Sequence, residues 1–159
     1  MNEAVVALGS NMGNKTENLQ EAIKMLKRLP NTTVEAQSAI YESTPEDMSA
    51  GFQEDYHNMV VVVRTNMSPM ALLGACLGME AAMGRVREDG DASRIIDLDL
   101  LLYEGIKNES FELTLPHPRM LQRAFVLLPL KDLYPSGRAP GVLFEPHLKA
   151  MDTSQCKKL

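Results

Sequence analysis

Two aspartates alternate with apolar residues in the segment SRIIDLDLLLY (93–103). Alternate residues of a β-strand share a face, so Asp97 and Asp99 would lie side by side, about 6.6 Å apart along the strand. Aspartate is uncommon in strands, and neighbouring carboxylates repel each other. A divalent cation would relieve this repulsion, and Mg²⁺ is usually held by carboxylates, water and phosphate oxygens. The alternative is a solvent-facing strand with two unrelated acids, and the D-x-D pattern alone favours it.

Basic side chains lie just before the aspartates, in GRVREDGDASR (84–94). Arg85, Arg87 and Arg94 beside a two-carboxylate metal site would suit a triphosphate. The alternative is a solvated charge cluster paired with the acidic residues of the same segment. His117 lies between two prolines in LTLPHPRM. A lone histidine is more often structural, so by itself it indicates a loop residue.

A third feature is an aromatic side chain beside an amide. Tyr56 and Asn58 begin a predicted strand and would share one of its faces. This pair suits a flat heterocycle, which needs a stacking surface and hydrogen bonds along its edge. The alternative is an edge-strand tyrosine whose hydroxyl meets water. Phe125, in QRAFVLLPL, would ordinarily be a core residue.

The stretch ALGSNMGNKT (7–16) has the layout of a phosphate-binding P-loop before a predicted helix. A P-loop has four residues between its glycines and a lysine directly after the second, so that backbone N–H groups curl around the phosphates. Here three residues separate Gly9 from Gly13, and Asn14 precedes Lys15. The spacing therefore favours an ordinary strand-to-helix turn capped by Asn14.

Hydrophobic periodicity and capping signals give the elements that would position these residues. Strands are predicted at 4–8, 32–41, 56–65, 94–103 and 111–115, and helices after the caps Asn14 and Ser68 and at about 119–128. The tail after Pro135 has no strong pattern. The second helix would bury an apolar face made of Met70, Leu73, Leu77 and Ala81, and the strand 94–103 one made of Ile96, Leu98, Leu100 and Leu102.

The predicted order βαββαβ is that of a ferredoxin-like α+β fold, a mostly antiparallel sheet covered by helices. No linker, repeat or low-complexity segment interrupts it. We therefore expect a single domain over residues 1–159.

Composition excludes some classes of function. The formal charge is −5 and no basic stripe is present, which argues against a nucleic-acid partner. Cys76 and Cys156 do not form a disulfide framework, and the N-terminus lacks a signal-peptide pattern. No apolar run approaches the length of a membrane span. We therefore expect a cytoplasmic protein with no membrane partner.

Taken together, these motifs resemble the 6-hydroxymethyl-7,8-dihydropterin pyrophosphokinase family of folate biosynthesis. The matching segments, which extend over nearly the whole chain, are LGSN (8–11), Y-x-N (56–58), GRVR (84–87), R-x-x-D-L-D-L-L (94–101) and PHPRM (116–120). The resemblance implies a ferredoxin-like fold and transfer of the diphosphate of ATP to the pterin hydroxymethyl group, with release of AMP. We also expect a monomer with two small-molecule substrates, ATP and the hydroxymethyl-dihydropterin.

The resemblance implies a role for each candidate residue. Asp97 and Asp99 would hold two Mg²⁺ ions and, with Arg85 and Arg94, form the catalytic set. The pterin would be bound by Gly9, Ser43, Thr44, Tyr56, Asn58 and Phe125. The nucleotide would be bound by Glu80, Arg85, Arg87, Arg94, His117 and Arg123.

The chain departs from the family pattern just before the aspartates. The family usually reads R-W-G-P-R there, whereas this chain has DGDASR. Glu112 stands where some members carry a basic nucleotide contact. These departures leave an alternative, a non-catalytic module that binds pterin or nucleotide and has a degenerate lid loop.

Overall fold

A computed structural model describes residues 1–46, 52–84 and 93–159. The helices are α1 (Lys15–Lys27), α2 (Pro69–Ala82), α3 (Ala124–Leu133) and α4 (Glu145–Ala150). The longer strands are β1 (Asn2–Ser10), β2 (Thr32–Gln37), β4 (Tyr56–Thr65) and β5 (Asp97–Tyr103). The shorter ones are β3 (Tyr41–Ser43), β6 (Asn108–Glu109), β7 (Thr114–Leu115), β8 (Arg138–Ala139), β9 (Val142–Leu143) and β10 (Cys156–Lys158).

The main sheet is antiparallel and has the order β10-β3-β4-β1-β5, with β2 also paired to β4. This order is that of a ferredoxin-like sheet in which β2 and β3 together occupy the place of one strand. The central strand β1 therefore lies between β4 and β5. The predicted α+β class and antiparallel sheet are confirmed.

Helices cover both faces of the sheet. On one face α1 and α2 pack through Leu19, Ile23, Leu26, Leu72, Cys76 and Met79 against apolar side chains of β1, β4 and β5. On the other face α3 packs through Val126, Leu127 and Leu130, together with Phe144 from the tail. Because β1 and β4 have helices on both sides, they read as nearly continuous apolar runs.

The local signals for two helices are confirmed. The Asn14 side chain accepts a hydrogen bond from the Glu17 backbone N–H (3.1 Å) at the start of α1. The Ser68 side chain caps α2 in the same way, with Pro69 in its first turn. Gly84 follows α2 with φ of 92°, a left-handed conformation that favours glycine.

The apolar face predicted for α2 is wrong. The structure buries Leu72, Cys76 and Met79 instead, while Met70 and Leu77 are exposed. Nearly every residue of PMALLGACLGMEAA is apolar or small, so periodicity does not select a face.

The segment 32–41 forms two strands rather than one. Between β2 and β3 the Ser38 hydroxyl accepts a hydrogen bond from the Val60 N–H (2.9 Å), and the Ala39 N–H donates to Asp132 Oδ2 (3.1 Å). The Ser38 N–H still donates to the Val60 carbonyl (2.9 Å), but the Ser38 and Asp132 side chains accept the neighbouring N–H groups, so the strand is interrupted.

Three further expectations are corrected. In 111–115 only Thr114 and Leu115 pair with another strand, because the chain turns back between Ser110 and Leu113. The helix predicted at 119–128 is split, since Arg123 has an extended backbone (φ −116°, ψ 111°) between a short 3₁₀ turn and α3. A register shift between β1 and β5 places Leu102 on the α3 side, opposite to Leu98 and Leu100.

None of the helices in the described residues is long and apolar enough to span a bilayer.

Candidate active site

A cavity of about 730 Å³ opens where β1, β4 and β5 meet the loops that precede and follow them. A volume of this size is typical of small-molecule sites. Every candidate residue within the described ranges lines it: Gly9, Ser43, Thr44, Tyr56, Asn58, Glu80, Arg94, Asp97, Asp99, His117, Arg123 and Phe125. Arg85 and Arg87 lie outside the described residues.

The strand register builds the floor of the cavity. Gly9 pairs with Asn58 of β4 on one side and with Asp97 of β5 on the other. In the next row of the same face, Ala7 pairs with Asp99. Because the central strand contributes only glycine and alanine here, the floor stays low between two rows of polar side chains.

One end of the cavity carries the aromatic and amide groups. Asn58 is 6% exposed, and its Nδ2 donates a hydrogen bond to Ser43 Oγ (2.7 Å). Tyr56 is paired with Ser43 in the β3–β4 ladder, and Phe125 of α3 lines the same cavity. The hydrogen bond to Ser43 therefore fixes the orientation of the amide in a cavity that two partly buried aromatic rings also line.

The C-terminal strand supports this end of the site. β10 covers the edge of β3 and places Cys156 opposite Ser43. The Thr44 N–H donates to the Gln155 carbonyl (3.3 Å). The tail therefore engages the Thr44 N–H and supports the backbone at this end of the cavity.

The two aspartates lie at the other end of the floor. Both side chains are partly exposed, and Arg94 Nε lies 3.8 Å from Asp97 Oδ1. Buried Glu80 of α2 accepts a hydrogen bond from the N–H of Leu98, between the two aspartates, at 2.8 Å. This carboxylate satisfies a backbone donor on the outer edge of β5 and so holds the strand that carries the pair.

The donor set fits magnesium. In the part of the chain that the structure describes, no three metal-ligating side chains cluster. Zinc sites require three or four such ligands, whereas Mg²⁺ is typically held by one or two carboxylates, several waters and substrate phosphates. Two adjacent carboxylates facing an open cavity meet the second description.

His117 faces the aspartates. Burial lowers the pKa of His117, and Arg123 and Arg119 lower it further, while Asp99 acts in the opposite direction. Its Nδ1 accepts a hydrogen bond from the Arg119 N–H (3.2 Å). The proton of the neutral ring therefore lies on Nε2, which can donate to an anion.

Arg123 is held in place by two contacts. Its Nε donates to Glu46 Oε1 (3.1 Å), and its guanidinium lies 5.4 Å from the centroid of the Phe125 ring. A cation stacked on an aromatic ring loses little mobility when it binds an anion.

Sequence reasoning missed the part of the cavity that extends past the edge of β5. This part of the cavity is lined by Leu73 and Leu77 of α2 and by Leu113 and Thr114. Leu73, Leu77 and Glu80 follow one another at i, i+4 and i+7, a spacing that places them on one face of a helix. That spacing could have revealed this part of the cavity, but both leucines also belong to the apolar face that the sequence predicts for the core.

Comparison with known proteins identifies the chain. Residues 5–135 match the family model of 7,8-dihydro-6-hydroxymethylpterin-pyrophosphokinase. The chain belongs to this family. A pyrophosphokinase with the same name from Methylorubrum extorquens is 37% identical over 159 residues, which cover 100% of this chain and 99% of the relative. One from Pseudomonas aeruginosa is 39% identical over 91% of this chain and 88% of its own length.

Longer proteins also contain this domain. A folic acid synthesis protein of Schizosaccharomyces pombe is 41% identical over 94% of this chain, which spans 20% of that protein. A crystal structure of Plasmodium falciparum HPPK-DHPS has a TM-score of 0.69 at 16% identity, over 99% of this chain and 47% of that one. At this identity the likeness supports the pyrophosphokinase fold alone.

Proposed function

We propose that the cavity binds 6-hydroxymethyl-7,8-dihydropterin at its Tyr56–Asn58 end and the phosphates of ATP at its Asp97–Asp99 end. Family membership makes the chain a pyrophosphokinase of folate biosynthesis that uses ATP as co-substrate. The pterin hydroxyl group loses its proton to solvent, and its oxygen forms a bond to the β-phosphorus of ATP. The bond between this phosphorus and the oxygen that bridges it to the α-phosphorus breaks, and that oxygen leaves with AMP. The observation that carries the placement is the pairing of Gly9 with both Asn58 and Asp97.

The pterin end holds a flat ring by shape and by edge contacts. Tyr56 and Phe125 sandwich the ring, and Asn58 Oδ1 accepts hydrogen bonds from ring N–H groups because its Nδ2 is engaged with Ser43. Gly9 leaves room for the ring edge, and the backbone of Ser43 and Thr44 contacts the remaining edge.

The phosphate end holds charge in place for an in-line displacement. Arg94 and Arg123 bind phosphate oxygens, and His117 donates from Nε2. Arg85 and Arg87 contribute from the segment outside the described residues. Asp97 and Asp99 would hold two Mg²⁺ ions, which would neutralise the negative charge of the triphosphate.

The nucleoside lies in the part of the cavity beyond β5. Leu73, Leu77 and Leu113 provide an apolar wall for the base, and Glu80 lies between this wall and the aspartates. Its carboxylate is buried against Leu98, so Glu80 contacts the nucleotide from a fixed position.

The same proposal includes the setting of the enzyme. We infer one domain over residues 1–159, acting as a monomer in the cytoplasm. Cys76 and Cys156 are both free thiols, as a reducing compartment requires. No nucleic acid or membrane partner is needed for two small-molecule substrates.

Product analysis tests the reaction. The wild-type chain with ATP, Mg²⁺ and the hydroxymethylpterin should release AMP and form the diphosphorylated pterin in equal amounts. ADP or inorganic phosphate as the nucleotide-derived product would refute the proposal.

A matched pair of variants tests the metal assignment. Asp97→Asn should lower turnover by about 100-fold or more, because it removes charge from a group that positions the transferring phosphate. Asp152→Asn, at an exposed tail position, should retain wild-type turnover. Equal turnover of the two variants would refute the role of Asp97.

The alternative of a non-catalytic binding module is not favoured, since the curated relatives carry the name of the enzyme. Tight binding of both ligands with no AMP release would favour the non-catalytic module instead.

A further inference from the structure

Asn11, which follows β1, makes three hydrogen bonds to two distant segments. It is 1% exposed. Its backbone N–H donates to the Arg94 carbonyl (3.0 Å), and its Oδ1 accepts from the Arg94 N–H (2.6 Å). Its Nδ2 donates to the Glu54 carbonyl (3.3 Å).

These contacts join the residues that enter the two ends of the cavity. Glu54 lies two residues before Tyr56, and Arg94 lies three residues before Asp97. Neither Glu54 nor Arg94 is part of a strand in the main sheet. Ladder bonds therefore do not set their positions, and the Asn11 side chain connects the two segments directly.

The chemistry of the site requires an amide. One side chain must accept a hydrogen bond from Arg94 and donate one to Glu54, and a short side chain that does both is that of asparagine. An aspartate would keep the acceptor but would bring a carboxylate oxygen against the Glu54 carbonyl.

We propose that Asn11 is a positioning residue that holds the segment leading into the pterin end and the segment leading into the phosphate end of the cavity in a fixed relative position. This inference rests on the proposed function of the cavity. Asn11 acts through its neighbours: it holds Arg94 beside Asp97 and holds the chain that enters β4 at Tyr56. A substitution that frees one segment should impair the substrate held by that segment more than the other substrate.

Two variants separate the two connections. Asn11→Asp keeps the acceptor for Arg94 and loses the donor to Glu54. Asn11→Ala loses both side-chain contacts and keeps only the backbone hydrogen bond to the Arg94 carbonyl. Loss of a buried hydrogen bond that leaves its partner unsatisfied corresponds to about a 5- to 100-fold effect. Asn11→Asp should therefore weaken binding of the pterin about 5-fold or more and lower kcat, with binding of an Mg²⁺–ATP analogue within 2-fold of wild type. Asn11→Ala should weaken both.

The control is Asn18→Asp, near the start of α1, where the side chain contacts the turn that contains Asn11. The Asn18 Nδ2 donates to Ser10 Oγ (3.1 Å) and to the Met12 carbonyl (2.9 Å), so this change disturbs the turn without touching Arg94 or Glu54. It should leave both affinities within 2-fold of wild type.

The experiment is calorimetric titration of each ligand on all variants, together with melting temperatures and product analysis. If Asn11→Ala does not fold, Asn11→Asp and Asn11→Ser decide the question. Equal losses of both affinities in Asn11→Asp and in Asn18→Asp would overturn the proposal, as would unchanged affinities and kcat in Asn11→Asp. A wild-type chain that binds both ligands without releasing AMP would instead refute the proposed function. The affinities of the Asn11 variants for the two ligands would still test the role of Asn11.

Discussion

Gly9→Ala is the most direct test of the cavity floor. A Cβ atom on Gly9 would lie 3.0 Å from Asn58 Oδ1 and 3.5 Å from Tyr56 Cδ1. The backbone at Gly9 does not have positive φ, so alanine is conformationally allowed there. The effect of the substitution is therefore steric and directed at the pterin end.

The expected loss follows from how firmly Asn58 is held. The amide must shift by a few tenths of an ångström, yet its Nδ2 is bound to Ser43 Oγ at 2.7 Å. Weakening one buried hydrogen bond costs about 0.5–1.5 kcal/mol, and a methyl group at the position we propose for the pterin edge adds a comparable amount. We expect pterin affinity to fall by about 1–2 kcal/mol, which corresponds to about 5- to 30-fold.

Stability should change little, because alanine in a strand regains about 0.5–1 kcal/mol that glycine loses in entropy. Calorimetric titration should show weaker pterin binding, with the affinity for an ATP analogue within 2-fold of wild type.

Gly74→Ala is the matched control for Gly9→Ala. Gly74 is exposed on α2, and nothing lies within 4 Å of its added Cβ atom. This variant should be more stable by about 0.5–1 kcal/mol, with unchanged affinity for both ligands. Unchanged pterin affinity in Gly9→Ala would refute the reasoning, because Asn58 would then not be fixed where the floor places it.

Two further expectations test other contacts. Glu46→Gln should tighten binding of the ATP analogue up to about 5-fold, because the half-exposed Glu46 carboxylate would compete with the phosphate that we propose Arg123 binds. Calorimetry at low and high salt measures this affinity, and weaker binding by the variant would contradict the expectation. Burial raises the pKa of Cys76 to about 12 and that of Cys156 to about 11, and the thiolate is the form that reacts. A thiol reagent at pH 8 should therefore label Cys156 slowly and Cys76 only after unfolding. Labelling followed by mass spectrometry checks this, and equal rates in the folded protein would show that α2 does not pack on the sheet as described.

The parts of the fold that the sequence predicted correctly have local causes. The Asn14 and Ser68 caps start their helices through contacts three residues away. The run YHNMVVVVRT coincides with β4 because branched apolar side chains suit a strand covered on both faces. The ferredoxin-like order followed from these elements.

The parts that failed depend on distant contacts. The break between β2 and β3 involves Asp132, more than ninety residues away in sequence. The tail gave no pattern because β10 pairs with β3 through only three residues and places its side chains largely in solvent. A short edge strand is determined by the edge that it covers rather than by its own composition.

The candidate residues themselves came from motifs and from family resemblance, but their arrangement depends on strand register. A shift of one residue between β1 and β5 would turn Asp97 and Asp99 to the opposite face, among the side chains packed under α2. The bulge between Val5 and Val6 lies before Ala7, so the rows at Ala7 and Gly9 remain in register at the cavity.

Adjacent strands lie about 4.8 Å apart, so the backbones of Asn58 and Asp97, on either side of Gly9, are separated by roughly 9.6 Å. In the proposed function, this span lies between the pterin hydroxymethyl group and the diphosphate. The sheet therefore sets the separation of Asn58 and Asp97, whereas Asn11 positions the segments at Glu54 and Arg94 that lead into their strands.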